Sequence, residues 1–309
     1  MLEDFELQAS FHTMELWIPG HDIDFTGLPD DVIKSQSWKK DRANNKYTKI
    51  IINPNKMVDN PKGILTFTEF SNVLENILNA VGADKYRINR ADLRLDSYAE
   101  NHYEKYHKLY AYLITSFMAD RSIKNSYASH DIVTGKRKTT TIRNESIQLE
   151  NYNRKLKSKE KSDKMEPAKS RFELRSCRLR WTERYKGLDR YVDHQTNMQL
   201  LQKEFLEYWT KLLKNYSAGK ALKAARTFVN ESIAADYQDE KYIDFIIRHR
   251  ERIFTVDQLK QLIDSIGIPN PDNKANDFKR SHGLVTYKNK DIETAIRIMI
   301  TAIKMFFKN

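Results

Sequence analysis

The chain has 309 residues, and its 53 Lys and Arg side chains against 42 Asp and Glu give a formal net charge of +11. This length suggests about two domains, and one cysteine, Cys177, excludes both an internal disulfide and a cysteine-rich zinc site. No apolar run approaches the roughly 18 residues of a membrane span, and the acidic start MLEDFE is unlike a signal peptide, so we expect a cytosolic protein without membrane contact.

The first two thirds of the chain have the pattern of an α+β domain. Alternating or β-branched runs predict strands over residues 5–18, 47–52, 86–96, 139–143, 146–153 and 170–181, while residues 38–45 are polar and predict no strand. Helical spacing predicts helices over residues 66–81, where Thr66 and Glu69 have capping-box spacing, and over 102–118. We therefore predict a domain over residues 1–190 with an antiparallel or mixed sheet and helices on one face.

The last third is helical in pattern. Apolar stripes predict helices over residues 201–216, 222–233, 242–247, 255–266 and 291–307, which we assign to a helical C-terminal domain over residues 191–309. The helix at 255–266, the following Pro/Asn loop and the basic segment 274–280 are compatible with a helix-turn-helix DNA-binding domain, and equally with a plain packing domain.

The positive charge is concentrated in the middle of the chain. Residues 1–118 hold 14 basic and 17 acidic side chains, residues 119–190 hold 20 and 10, and residues 191–309 hold 19 and 15. A concentrated positive field attracts polyanions such as nucleic acid. The lysine-rich run 157–164 also fits a solvated loop, but the arginines at 171, 175, 178 and 180 alternate with apolar residues and predict an ordered element.

The predicted strand 86–96 carries charge on one face. Because side chains alternate along a strand, its polar face holds Arg90, Asp92, Arg94 and Asp96. One interpretation is an exposed face with cross-strand ion pairs, and the other is a divalent-metal site. The two carboxylates lie about 13 Å apart at roughly 3.3 Å per residue, so at most one of them is a direct ligand, with Asp92 the first choice.

Two further strands add partners to this face. Glu150 and Tyr152 share a face of strand 146–153, and Arg171, Glu173 and Arg175 share a face of strand 170–181. Carboxylates can hold a metal, basic groups neutralise phosphate charge, and a tyrosine hydroxyl can act as a nucleophile. The combination therefore suits phosphodiester chemistry.

The segments TTTIRNESIQLENYNRKLKS and AKSRFELRS resemble the rolling-circle replication initiation factor family, which includes plasmid and phage initiators and related relaxases and nickases. The family has a motif similar to Y-[DN]-K and a later strand similar to R-x-E-x-R, here Tyr152-Asn153-Arg154-Lys155 and Arg171-Phe172-Glu173-Leu174-Arg175. The resemblance covers residues 85–181, including Arg90, Asp92 and Asp96. It departs from the family at Arg154, where Lys is commoner, and in lacking a His-hydrophobe-His motif, although His12 and His102 are possible additions.

The resemblance implies an HUH-endonuclease-like domain that nicks origin DNA, single-stranded or in a hairpin. Tyr152 would form a 5′-phosphotyrosyl intermediate and leave a 3′-OH that primes synthesis. The groups implied around it are Lys155, Arg154 and Arg175 against the phosphate, and Asp92, Glu150, Glu173 or Asp96 on Mg²⁺ or Mn²⁺. A host helicase, a homodimer and a location in the bacterial cytosol or nucleoid are implied as well.

Two alternatives remain open from the residues. A non-catalytic DNA-binding initiator or repressor explains the charge but gives no role to acidic groups on a basic face. A metal-dependent nuclease that uses water as nucleophile would leave Tyr152 with a structural role only.

Overall fold

The computed structural model describes the chain except for residues 1, 3, 21–22, 41–43, 119–126, 131–138, 155–167, 217–226, 228, 239, 285–286 and 309. Eight strands form one sheet: β1 Gln8–Pro19, β2 Ile33–Lys40, β3 Lys46–Ile52, β4 Arg87–Ser97, β5 Tyr127–His130, β6 Thr139–Arg143, β7 Ile147–Asn153 and β8 Ser170–Ser176. Their order is β2-β3-β1-β4-β8-β7-β6-β5, and every neighbouring pair is antiparallel. The predicted α+β class is confirmed.

The described helices are α1 Phe67–Ala80, α2 His102–Met118, α3 Arg178–Arg184, α4 His194–Gln202, α5 Thr210–Tyr216, α6 Tyr242–His249, α7 Val256–Ser265, α8 Pro271–His282 and α9 Asn289–Lys308. A π-helical stretch, Lys203–Trp209, joins α4 to α5, and short 3-10 turns lie at Pro54–Met57 and Arg250–Arg252. The Thr66 cap is confirmed, because its hydroxyl accepts a hydrogen bond from the Glu69 backbone N–H. Within the described residues, no helix has both the length and the apolar character that a membrane span needs.

The sheet has one apolar face, and the helices pack against it. Phe11, Leu93 and Leu174 are paired across β1, β4 and β8 and are fully buried. Aromatic contacts tie the helices to this face: the Phe11 ring lies 4.5 Å from Phe70 of α1, and Phe172 lies 5.3 Å from Tyr110 of α2. The prediction of helices on one side is confirmed, and the opposite face is left to polar residues.

The helical C-terminal region contacts the same sheet. The Phe307 ring of α9 lies 4.6 Å from Phe67, and Phe306 lies 5.7 Å from Phe11. Trp209 also donates its indole N–H to the Ser176 hydroxyl at the end of β8, at 2.7 Å. The domain boundary near residue 190 stays a prediction.

Several elements of the structure differ from the prediction, and two of them bear on the site. Residues Ile33–Lys40 form a strand that was not predicted, because IKSQSWKK is almost wholly exposed at the sheet edge and carries no apolar alternation. The strand predicted over 170–181 ends at Ser176, and Arg178–Arg184 is helical. Buried Trp181 anchors that helix, since its indole donates to the Ser176 carbonyl at 3.0 Å.

Two C-terminal predictions are only partly described. Of the helix predicted over 222–233, residues 229–234 are helical and most of the remainder lies outside the described residues. The basic segment 274–280 lies in α8, which follows a turn after α7 and packs against it. DNA binding by this helix pair stays a prediction.

Removal of the Phe307 ring should destabilise the protein strongly, because the ring is 7% exposed and packs against four other phenylalanines. Phe307→Ala is expected to lower the free energy of unfolding by about 3–5 kcal/mol. Urea denaturation followed by circular dichroism measures this. Met305→Ala is the matched control, since Met305 is 60% exposed and its substitution should cost about 0.5 kcal/mol or less. Equal effects of the two substitutions would contradict the packing described here.

Candidate active site

Cross-strand register gathers the predicted residues on the polar face of the sheet. Directly opposite residues on neighbouring strands share a face, so β4, β8 and β7 contribute three rows of side chains. The rows are Asp92, Arg175 and Gln148; Arg94, Glu173 and Glu150; and Asp96, Arg171 and Tyr152. The structure thus brings together the acidic, basic and tyrosine residues that the sequence places on three separate strands.

Asp96 and Arg171 form a buried ion pair. Arg171 donates to the two carboxylate oxygens of Asp96 at 2.7 and 2.8 Å, and Arg94 lies 3.3 Å away on the other side. Burial alone would raise the pKa of Asp96, but the charges of Arg171 and Arg94 outweigh it, so the pKa is lowered and the carboxyl stays ionised. The Asp96 carboxylate is therefore engaged in ion pairs with Arg171 and Arg94.

Asp92 is held in the same way. Arg175 donates to Asp92 Oδ1 at 2.9 Å, and Arg90 donates to both oxygens of the carboxylate. Arg175 also reaches Gln148 Oε1 at 2.7 Å and Glu173 Oε2 at 3.4 Å. Arg175 thus lies within the polar network next to Glu173, and its role against phosphate stays a prediction.

Tyr152 and Glu173 form a pair that could transfer a proton. The Tyr152 hydroxyl donates to Glu173 Oε1 at 2.7 Å. Tyr152 is 3% exposed, and burial together with the negative charge of Glu173 raises its pKa well above the usual value. The phenol is therefore neutral, and its proton already points at a carboxylate that could accept it.

Two basic side chains, His12 of β1 and Lys34 of β2, lie near Glu173. His12 lies at a β-bulge in β1, and its Nδ1 is 3.9 Å from Glu173 Oε1 and 3.0 Å from the Thr13 hydroxyl. Lys34 Nζ donates to that hydroxyl at 2.8 Å. Lys34 lies on the exposed edge strand, but its ammonium group reaches the buried Thr13 hydroxyl, and desolvation there lowers its pKa to about 8, although Glu173 raises it. Burial together with Arg171 lowers the pKa of His12 well below its usual value.

The sequence carries a weak signal for His12 and none for Lys34. His12 was identified only as a possible addition, and a bulge that aims it at Glu173 has no clear sequence signal. Lys34 was missed because its strand was missed. His102 is buried on α2 beside Phe5 and hydrogen-bonds the Tyr110 hydroxyl at 3.0 Å, so it belongs to the core.

Asp92 and Asp96 do not fit the predicted metal set. Both carboxylates are occupied by arginines, and a cation in their place would have to displace those positive groups from a buried site. Across the described ranges, no three His, Cys, Asp or Glu side chains lie together as metal ligands. Glu150 and Glu173, opposite each other on β7 and β8, are the predicted carboxylates nearest Tyr152.

The remaining predicted residues, Arg154 and Lys155, follow β7 in the sequence. Arg154 is buried, and its backbone N–H donates to the Lys169 carbonyl at 3.1 Å. Lys155 and the lysine-rich run 157–164 lie outside the described residues. Their roles against phosphate stay predictions.

Comparison with known proteins gives a likeness at the level of structure rather than of sequence. No protein-family model matches the chain, and no curated protein matches it. The chain is similar to a rolling circle replication initiator protein from Geobacillus stearothermophilus, with 13% identity and a TM-score of 0.35, over 68% of this chain and 85% of that one. At this TM-score and identity the match assigns no family, activity or site residues to this chain.

Replacement of Asp96 distinguishes an ion-pair partner from a metal ligand. Asp96→Asn would leave the buried Arg171 charge uncompensated and should lower the free energy of unfolding by about 3–5 kcal/mol in metal-free buffer. Glu150→Gln, the same chemical change at a partly exposed position of β7, should cost about 1 kcal/mol or less. Urea denaturation with EDTA measures both. Stability unchanged in Asp96→Asn without metal would contradict the ion-pair role.

Proposed function

We propose that the chain is a DNA strand transferase that nicks origin DNA to initiate rolling-circle replication, with Tyr152 as the nucleophile. The single observation that carries the proposal is the Tyr152 hydroxyl held 2.7 Å from Glu173 Oε1, on a sheet face rich in arginine. A nucleophile and a base within hydrogen-bond reach, with cations around them, suit transfer of a phosphodiester.

Glu173 acts as the base in this proposal. As Tyr152 Oη attacks the scissile phosphorus, its O–H bond breaks and Glu173 takes the proton. The new Oη–P bond forms while the P–O3′ bond breaks, and the released 3′-oxygen takes a proton from water. The products are a 5′-phosphotyrosyl link and a free 3′-OH, and re-joining runs the same steps in reverse.

Fixed cations supply the electrostatic stabilisation. Arg175 and Arg90 are already oriented by Asp92, so their charges need little rearrangement when negative charge develops on the phosphate. Lys34 of β2, which donates to the Thr13 hydroxyl, adds a further positive charge to the site. The steps assigned to Tyr152 and Glu173 do not need Asp92 or Asp96 to act as metal ligands.

The low exposure of Tyr152 adds a requirement. At 3% exposure its ring is covered, so a DNA phosphate reaches the hydroxyl only after the side chains around it move. We therefore propose that binding of the substrate strand opens the polar face around Tyr152 before chemistry.

A covalent adduct is the direct test of this function. The protein is incubated with labelled single-stranded origin DNA and Mg²⁺ or Mn²⁺, and the products are run on a denaturing gel. The native chain should give a DNA-protein adduct, and Tyr152→Phe should give none. Tyr98→Phe is the control, because Tyr98 is a second tyrosine beside β4 and its hydroxyl donates to the Lys62 carbonyl at 3.4 Å. Glu173→Gln should slow adduct formation by about 10²–10⁴-fold.

The other gel outcomes identify the alternatives. Cleavage that survives in Tyr152→Phe indicates a nuclease that uses water. Binding with no cleavage by the native chain indicates a non-catalytic initiator or repressor. Either result would overturn the proposed role of Tyr152.

The lowered pKa of Lys34 predicts a pH dependence. A lysine with a pKa of about 8 is charged below that pH and neutral above it, so its help to the phosphate is lost as pH rises through about 8. The rate of adduct formation should fall over that range in the native chain. In Lys34→Arg, whose guanidinium stays charged, this fall should disappear.

The control for this pH profile is Lys49→Arg. Lys49 lies on the neighbouring strand and pairs with Glu15 at 2.8 Å, away from Glu173. Its profile should follow that of the native chain. A fall near pH 8 that persists in Lys34→Arg would assign the titration to another group.

A further inference from the structure

A second cluster lies on the polar face, at the other end of the sheet from Tyr152. It consists of Trp17, Tyr47, Tyr191, Arg178 and Arg190, which we call the aromatic patch. The Trp17 and Tyr47 ring centroids are 4.7 Å apart with the planes inclined by 31°. The proposed chemistry at Tyr152 makes no use of this cluster.

Arginines lie over each ring of the aromatic patch. The Arg178 guanidinium is 5.7 Å from the Trp17 ring, and that of Arg190 is 5.6 Å from Tyr47 and 5.2 Å from Tyr191. Trp17 is half-buried and Arg178 is exposed. Planar rings and guanidinium groups can both stack on nucleobases, and the arginine charges can contact phosphates.

Strand register places the aromatic patch on the face that holds Tyr152. Leu16 and Ile18 of β1 are buried in the core, so Trp17 between them points to the polar face. Trp17 is opposite Lys49 on β3 and Arg87 on β4. Lys49 forms an ion pair with Glu15 at 2.8 Å and Arg87 lies 4.3 Å over the Tyr185 ring, so the cations of the patch are its own Arg178 and Arg190.

The polar face connects the two sites. Arg87, opposite Trp17, and Asp96, in the row of Tyr152, are nine residues apart on β4, which corresponds to about 30 Å at roughly 3.3 Å per residue. Arg90 and Arg175 lie between them on the same face. That length accommodates about nine nucleotides of a stacked strand at roughly 3.4 Å each.

We infer that the aromatic patch binds single-stranded DNA, and that the bound strand runs from Tyr152 across the polar face to Trp17. That the bound strand reaches Tyr152 rests on the proposed function, whereas binding at the aromatic patch does not. A single strand is the occupant because its bases are free to stack on side chains, whereas the bases of a duplex are already stacked on each other.

Binding is measured in a Tyr152→Phe background, so that no cleavage occurs. The probe is a fluorescein-labelled 15-nucleotide single strand, and its anisotropy gives the Kd. Trp17→Ala should weaken binding about 5- to 100-fold through the loss of base stacking. Arg178→Ala should weaken it and also lower the slope of log K against log salt by about 0.7, the value for one phosphate contact.

Trp38→Ala is the matched control. Trp38 is 61% exposed on β2, but it is opposite Thr48, which is in turn opposite Ile18, and so lies on the helix side of the sheet. Its substitution should change the Kd by less than about twofold. Trp17→Phe, which keeps a stacking ring, should restore most of the affinity, and this separates lost stacking from misfolding.

Three results would overturn the inference: a Trp17→Ala affinity equal to that of the background, an equal loss in Trp38→Ala, or the same dependence on Trp17 for duplex DNA. The result is separable from the proposed function. Binding that depends on Trp17, with no adduct from the native chain, keeps the patch and removes Tyr152 as nucleophile. An adduct from the native chain, with binding that does not depend on Trp17, keeps Tyr152 as the nucleophile and removes the patch.

Discussion

The register between β4 and β8 is the constraint on which the rest of the structure depends. It sets Asp96 opposite Arg171, Asp92 opposite Arg175 and Arg94 opposite Glu173, so each of these charges has a partner of opposite sign across the ladder. A shift of one residue would turn the charges into the core and the apolar residues outward. Because several of these side chains are buried, the cost of leaving one unpaired fixes the register strongly.

This network also decides which groups remain for chemistry. Asp92 and Asp96 are occupied by arginines and serve to orient them. Glu173 has Arg94 opposite it but directs one oxygen to the Tyr152 hydroxyl. The aspartates and Glu173, which look alike in the sequence, therefore have different partners in the structure. The polar face continues along the sheet to Trp17, and its length accommodates an extended single strand of DNA.

Much of this could be predicted from the sequence. The alternation in β4, β7 and β8 correctly placed Asp92, Glu173 and Tyr152 on polar faces, and the capping residues fixed the starts of helices. The pairing of the aspartates could not be predicted, because register between distant strands is a tertiary property. Lys34 was missed since an exposed edge strand lacks apolar alternation, and the position of His12 depends on a bulge that leaves no sequence pattern.

The most direct test of the central claim is to identify the residue that carries DNA. The native chain is reacted with a single strand that cannot re-join, the adduct is digested with protease and nuclease, and the peptides are sequenced by mass spectrometry. The account predicts a nucleotide on Tyr152, in the peptide that contains QLENYN. A nucleotide on any other tyrosine, or cleaved DNA with no modified peptide, would contradict it.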